Sequence, residues 1–155
     1  MSADPLEKTD ADSSETAPDP RVAAILDELG HSYEILPDSG TFKTGYLFED
    51  GRSQDVFIRS VTEEFLGVEL REITSPALVS SGIFDARTAN FLLRENTSMK
   101  FGGWCIEVGE DNGHFAVFSV KVGAALPAHP FAEILEMVAK VADSTEARLS
   151  GLDEF

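Results

Sequence analysis

The chain has 155 residues, of which 43% are apolar and 26% charged, an ordinary globular composition with enough apolar side chains for one core without disulfides or metals. Lys and Arg number 12 against 28 Asp and Glu, a formal charge of −16 at pH 7. Such a surface repels phosphate backbones and anionic headgroups, and no Lys/Arg cluster offers a local exception, so nucleic acid and membrane are excluded as expected partners; the acidity either favours basic or neutral proteins or serves only to keep the protein soluble, as in a salty cytoplasm.

Residues 1–19 read as a disordered acidic tail. They carry Asp4, Glu7, Asp10, Asp12, Glu15 and Asp19 against Lys8, with Leu6 as the only large aliphatic side chain beyond Met1, too little to offset the entropy of ordering. They show no basic stretch followed by an apolar run, and no segment of the chain approaches the ~18 apolar residues of a membrane helix, so the expected location is cytoplasmic.

Residues 20–150 read as one folded domain and 151–155 as a short C-terminal tail. Asp19 can cap a first helix, Pro20 suits its first turn, Val22, Ile25, Leu26 and Leu29 recur at helical spacing, and Gly30 stops it. From Ser32 the period changes to two. Tyr33 to Leu36 and Thr41 to Glu49 predict strands, Asp50-Gly51 a tight turn, and Gln54 to Ser60 the returning strand. A polar turn is expected around Thr62 to Glu64, then a strand from Gly67 to Ser75 that Pro76 ends.

Asp85 to Asn96 predicts a second helix. Ala89, Leu92, Leu93 and Asn96 share a face and Phe91 widens it. Phe91-Leu92-Leu93 sweeps about 200° of the helix circumference, which implies either a second contact surface or deep burial. Phe101 to Val108 and His114 to Val122 predict a hairpin about a turn at Gly109 to Gly113, central in the sheet and partly covered on both faces. Pro130 opens the last helix, with Phe131, Ile134, Leu135, Val138, Val141, Ala142 and Leu149 on one stripe. Two blocks of strands separated by a helix predict an α+β fold, an antiparallel sheet with helices packed against it in the order α-β-β-β-(β)-α-β-β-α.

Chemistry-bearing patterns are sparse. His31, His114 and His129 lack a second His or Cys at metal-ligand spacing. Cys105 stands alone, between Trp104 and Ile106, and reads as a buried strand residue. Glu110-Asp111-Asn112-Gly113 lacks the alternating ligands of a calcium loop and reads as a turn. No serine sits in a Gly-x-Ser-x-Gly elbow, and Gly102-Gly103 reads as a bulge or close backbone approach. No catalytic residue, metal ligand or cofactor site is expected, and the protein is read as not an enzyme.

Asn90-Phe91-Leu92-Leu93-Arg94-Glu95-Asn96, then Phe101-Gly102-Gly103-Trp104 and a hairpin, resembles the YbjN family. Gly51-Arg52-Ser53-Gln54-Asp55-Val56-Phe57-Ile58 and the closing run from Phe131 to Leu149, with Val141-Ala142-Asp143, are similar too. The resemblance covers roughly residues 20 to 150. It implies a type III secretion chaperone-like fold, that of small acidic α+β proteins that dimerise and hold an extended client segment. YbjN-like proteins are described as sensory transduction regulators, and neither group implies catalytic residues. The expected function is therefore a homodimeric protein-binding module, chaperone-like or regulatory, with Phe91, Leu92, Leu93, Phe101 and Trp104 as the candidate dimer or partner interface. A small-ligand-sensing domain, with a pocket between helices and sheet, is the alternative reading, and an enzyme the third.

Overall fold

The computed structural model describes residues 15–150. Its elements, in chain order, are α1 (Pro20–Leu29), β1 (Tyr33–Ile35), β2 (Phe42–Leu47), β3 (Ser53–Phe65), β4 (Val68–Ser80), α2 (Ala86–Glu95), β5 (Gly103–Val108), β6 (His114–Gly123) and α3 (Ala128–Ser150). The class is the expected α+β. Local chemistry fixes two helix starts. The Asp19 carboxylate accepts from the Arg21 N–H at 2.9 Å, and the Asp85 carboxylate from the Thr88 N–H at 2.7 Å. Gly30 ends α1 at φ 71°, a left-handed conformation that costs a glycine little.

The strands form one antiparallel sheet in the order β1-β2-β3-β4-β6-β5. Phe42, Ile58, Ile73 and Val120 stand side by side across β2, β3, β4 and β6 and are closed to solvent. α3 lies over this face and α1 packs beside it. Val22 and Leu26 of α1, with Phe131, Leu135, Val138 and Ala142 of α3, complete the core. Each of these side chains larger than alanine contributes about 1.5–3 kcal/mol on burial, which a ten-residue helix like α1 needs because it is marginal alone. The opposite face carries cross-strand charges instead, including Lys43–Asp55 at 3.3 Å, Arg59–Glu72 at 3.2 Å and Lys121–Glu63 at 2.6 Å.

Several expectations are corrected. β3 runs straight through Thr62 to Glu64, and the turn is Leu66-Gly67, with both residues at positive φ (51° and 78°). The carboxylates are tolerated because this end of the strand is exposed. Pro76 does not end β4, which continues to Ser80. The β3–β4 ladder stops at the Phe57–Thr74 pair, and the β4–β6 register shifts between Pro76 and Leu78. The missing proline N–H therefore falls at a bulge where no ladder bond is lost. The β5–β6 hairpin is not central, because β5 is the outer edge. Cys105 is exposed rather than buried: Trp104 points into the core against Phe118, at 5.5 Å between ring centroids, so its neighbour faces the other way. Partial burial, then the nearby Glu107 and Glu72 charges, push the Cys105 thiol pKa up, away from a reactive thiolate.

Gly102 precedes β5 rather than lying within it and makes the close approach expected of this pair of glycines. It sits at φ 75°, where a Cβ would stand 2.5 Å from Val120 Cγ1 and 2.6 Å from the Ser119 carbonyl oxygen.

Thr16 to Asp19, read from sequence as the end of the tail, run against the domain. The Thr16 and Ala17 backbone crosses tightly over Gly40, and the Asp19 N–H donates to Ser60 Oγ at 2.9 Å. The readings for residues 1–14 and 151–155 fall outside the described residues. Beneath this segment lies Arg71, only 2% exposed. Its guanidinium donates to Asp19 Oδ2 at 2.6 Å and to the Arg59 and Ser60 carbonyls at 2.5 and 3.2 Å, where the β3–β4 register shifts. Arg21 extends the network from Asp19 to Glu69. The hydrogen bonds from Arg21, and then the one from Arg71, hold the Asp19 carboxyl well below the usual range against the cost of burial. The Arg21 guanidinium, with Thr62, lowers Glu69 to about 2.

Candidate functional site

The five residues singled out from sequence separate into two sets. Leu92 (3% exposed) and Trp104 (5%) are core residues. As α2 turns about 100° per residue, burying Leu92 forces its neighbours towards the rims. Leu93 (63%) emerges on one flank of α2, while Phe91 lies half-buried on the other, beneath the Arg148 guanidinium at 4.9 Å from the ring centroid. Phe101 is exposed just before β5. Leu93, Phe101 and the outer part of Phe91 are thus available for contact, and Leu92 and Trp104 are not. The Trp104 indole Nε1 is buried with no hydrogen-bond partner among the described residues.

Beside Leu93 and Phe101 the sheet ends in an edge, the outer side of β5, that no other strand among the described residues pairs with. Asn96, the residue closing α2, places its side-chain amide against Trp104. Its Oδ1 accepts from the Trp104 N–H at 2.6 Å, and its Nδ2 donates to the Trp104 carbonyl at 3.2 Å. These are the bonds that a further strand would make. The Trp104 backbone therefore faces away from β6, and the alternation of an antiparallel ladder turns the N–H and C=O of Ile106 and Val108 outward too. Both side chains are exposed. β5 carries no Lys, Pro or bulge to protect this edge. Neither the Asn96 contact nor the open edge is visible in sequence, where the hairpin reads as central.

The other flank of α2 borders a long groove of about 1360 Å³ between α2, the end of β4 and the end of α3. Arg87 and Arg94 stand along it two helical turns apart. Arg148 closes one side, bonded to Glu95 at 2.9 Å. A second concavity, of about 580 Å³, lies on the helix-free face of the sheet, floored by Phe57, Pro76, Phe115 and Val117 and rimmed by Thr16, Thr41 and Arg59. At the far end of the sheet, the β3–β4 turn exposes Phe65, Leu66 and Val68.

Among the described residues, no three His, Cys, Asp or Glu side chains converge as a metal site, and no helix is long and apolar enough to cross a membrane. No protein-family model matches the chain, and a search of curated proteins finds no match either.

Proposed function

We propose that the protein is a non-catalytic binding module of the cytoplasm, chaperone-like or regulatory, which forms a homodimer and holds a segment of a partner protein. The observation that carries this reading is the open β5 edge, flanked by the exposed apolar side chains of Leu93, Phe101, Ile106 and Val108. Main-chain pairing along such an edge supplies affinity, and the flanking side chains supply fit. The resemblance of residues 20 to 150 to the YbjN family points the same way. Sedimentation equilibrium tests the dimer. The wild type is expected to be dimeric at micromolar concentration, and Leu93→Asp to be a folded monomer with unchanged circular dichroism. A monomeric wild type at high micromolar concentration refutes the dimer.

A second reading, a small-ligand-sensing domain, is favoured by the concavity over Phe57 and Val117, whose size matches small-molecule sites. It lies on the sheet's free face rather than between helices and sheet. A metabolite screen by thermal shift separates the two readings, because a ligand at about 100 times its Kd adds about 2.7 kcal/mol of stability.

A further inference from the structure

The positive charges of this acidic chain are distributed unevenly. Arg21, Arg52, Arg59, Arg71, Arg148, Lys43, Lys121 and Lys140 each meet a carboxylate. Among the described residues, the Lys and Arg side chains without an ion-pair partner are Arg87, Arg94 and Lys100. All three lie on α2 or in the turn after it. With 28 carboxylates for 12 cations, an arginine left free is unusual, and two on one helix flank form a local positive pole.

That pole borders the α2 groove. Arg87 and Arg94 stand on its rim, Arg148 faces them, and Phe84, Phe91 and Leu149 provide apolar lining. Asp85 and Glu95 also border it: Asp85 accepts from the Thr88 N–H and feels the nearby Arg87 charge without forming an ion pair, and Glu95 is paired with Arg148. At about 1360 Å³ the groove exceeds the roughly 300–1,000 Å³ of small-molecule sites and suits a length of chain. Charge on the rest of the surface is screened beyond about 8 Å at physiological salt, so an approaching segment responds to the local arginines more than to the net −16.

We propose that this groove binds an extended acidic segment of a partner protein, its carboxylates reaching Arg87 and Arg94 and its apolar side chains lying on Phe84 and Phe91. Planar guanidinium groups suit bidentate pairing with carboxylates. The proposal rests on the protein-binding reading and names the partner's chemistry, which is opposite to what the net charge alone favours. It does not depend on the dimer, which uses the Leu93 flank of the same helix.

The test is fluorescence anisotropy with two labelled synthetic peptides, one alternating Asp and Glu with Leu and Phe, the other carrying Lys in place of the acids. The wild-type protein is expected to bind the acidic peptide at least about tenfold more tightly than the basic one, the change that about 1.4 kcal/mol of differential contact produces. Arg87→Glu with Arg94→Glu should abolish that preference. Both positions are exposed, so the fold should survive, and circular dichroism checks it. The affinity for the acidic peptide should also fall as salt rises. A wild type that prefers the basic peptide or binds neither overturns the proposal, as does acidic-peptide binding that the double variant retains. So does loss of self-association in the double variant by sedimentation, because the groove would then be a contact between copies. Loss of the dimer in Leu93→Asp with peptide binding intact keeps the groove assignment, whereas a monomeric wild type that still binds the peptide removes only the dimer.

Discussion

At the α1 seam a guanidinium is buried; at the α2 end leucine, phenylalanine and isoleucine are not. Arg71 lies beneath the chain with its donors matched to a carboxylate and two carbonyls. At the opposite pole Leu93, Phe101 and Ile106 face solvent, and Arg87 and Arg94 stand unpaired among the described residues. The seam spends its polar groups on holding α1 and the incoming chain to the sheet. The α2 end leaves two arginines without an ion pair among the described residues and several apolar side chains exposed, which is where a binding surface is to be sought. Burial at one pole and exposure at the other each break the simple inside–outside rule, with different consequences for stability.

The comparison is most exposed to failure at Asp19. Asp19→Asn keeps a capping side chain but strands the Arg71 charge, and should cost about 3–5 kcal/mol by urea denaturation. Adding Arg71→Met should recover much of that loss; if the double variant is no better than the single one, the charge pairing is not what matters there. The pH dependence follows from the same group. A carboxyl whose folded pKa lies below the ordinary 3.8 stabilises the fold fully above the unfolded value, and that contribution is lost as pH falls towards and through the folded pKa. Between about pH 4 and pH 2 the wild type should therefore lose stability more steeply than Asp19→Asn.

The α2 end is tested by adjacent leucines. Leu92→Ala should cost about 2–5 kcal/mol, and Leu93→Ala should stay within about 0.5 kcal/mol of the wild type when stability is measured on the monomer. Equal effects would erase the distinction between a core leucine and a surface one. Gly102→Ala should lower stability by about 2 kcal/mol, since φ 75° and the Val120 side chain both resist a Cβ. The smallest effect should be a gain. Leu66 is 87% exposed at φ 51° in a two-residue hairpin loop, so Leu66→Asn, which creates the favoured Asn-Gly turn, should add about 0.5–1 kcal/mol.

Much of the fold was legible where chemistry is local. Asp19, Gly30 and Asp85 act at helix ends as their residue types predict, and the stripe from Phe131 to Leu149 faces the core. Misreadings came where a residue's meaning depends on distant partners. Pro76 reads as a strand terminus unless the ladder is known to end beside it. Thr62 to Glu64 read as a turn unless that end of β3 is known to be exposed. Cys105 reads as buried because the sequence does not tell which face Trp104 takes. Of the candidate interface, Leu93 and Phe101 emerged at the surface while Leu92 and Trp104 went inside, a division set by helix phase and strand order. The sequence reads as free of any Lys/Arg cluster, because Arg87 and Arg94, seven residues apart, come together only as one flank of α2. Their lack of carboxylate partners was not legible either.

Asn96 sets the outer limit of the sheet with one side-chain amide. An alanine there would free the Trp104 N–H and C=O and run them into the open line at Ile106 and Val108. The edge would then offer an incoming strand one more residue to pair with. A single side chain thus shortens the line along which an edge-to-edge contact can form.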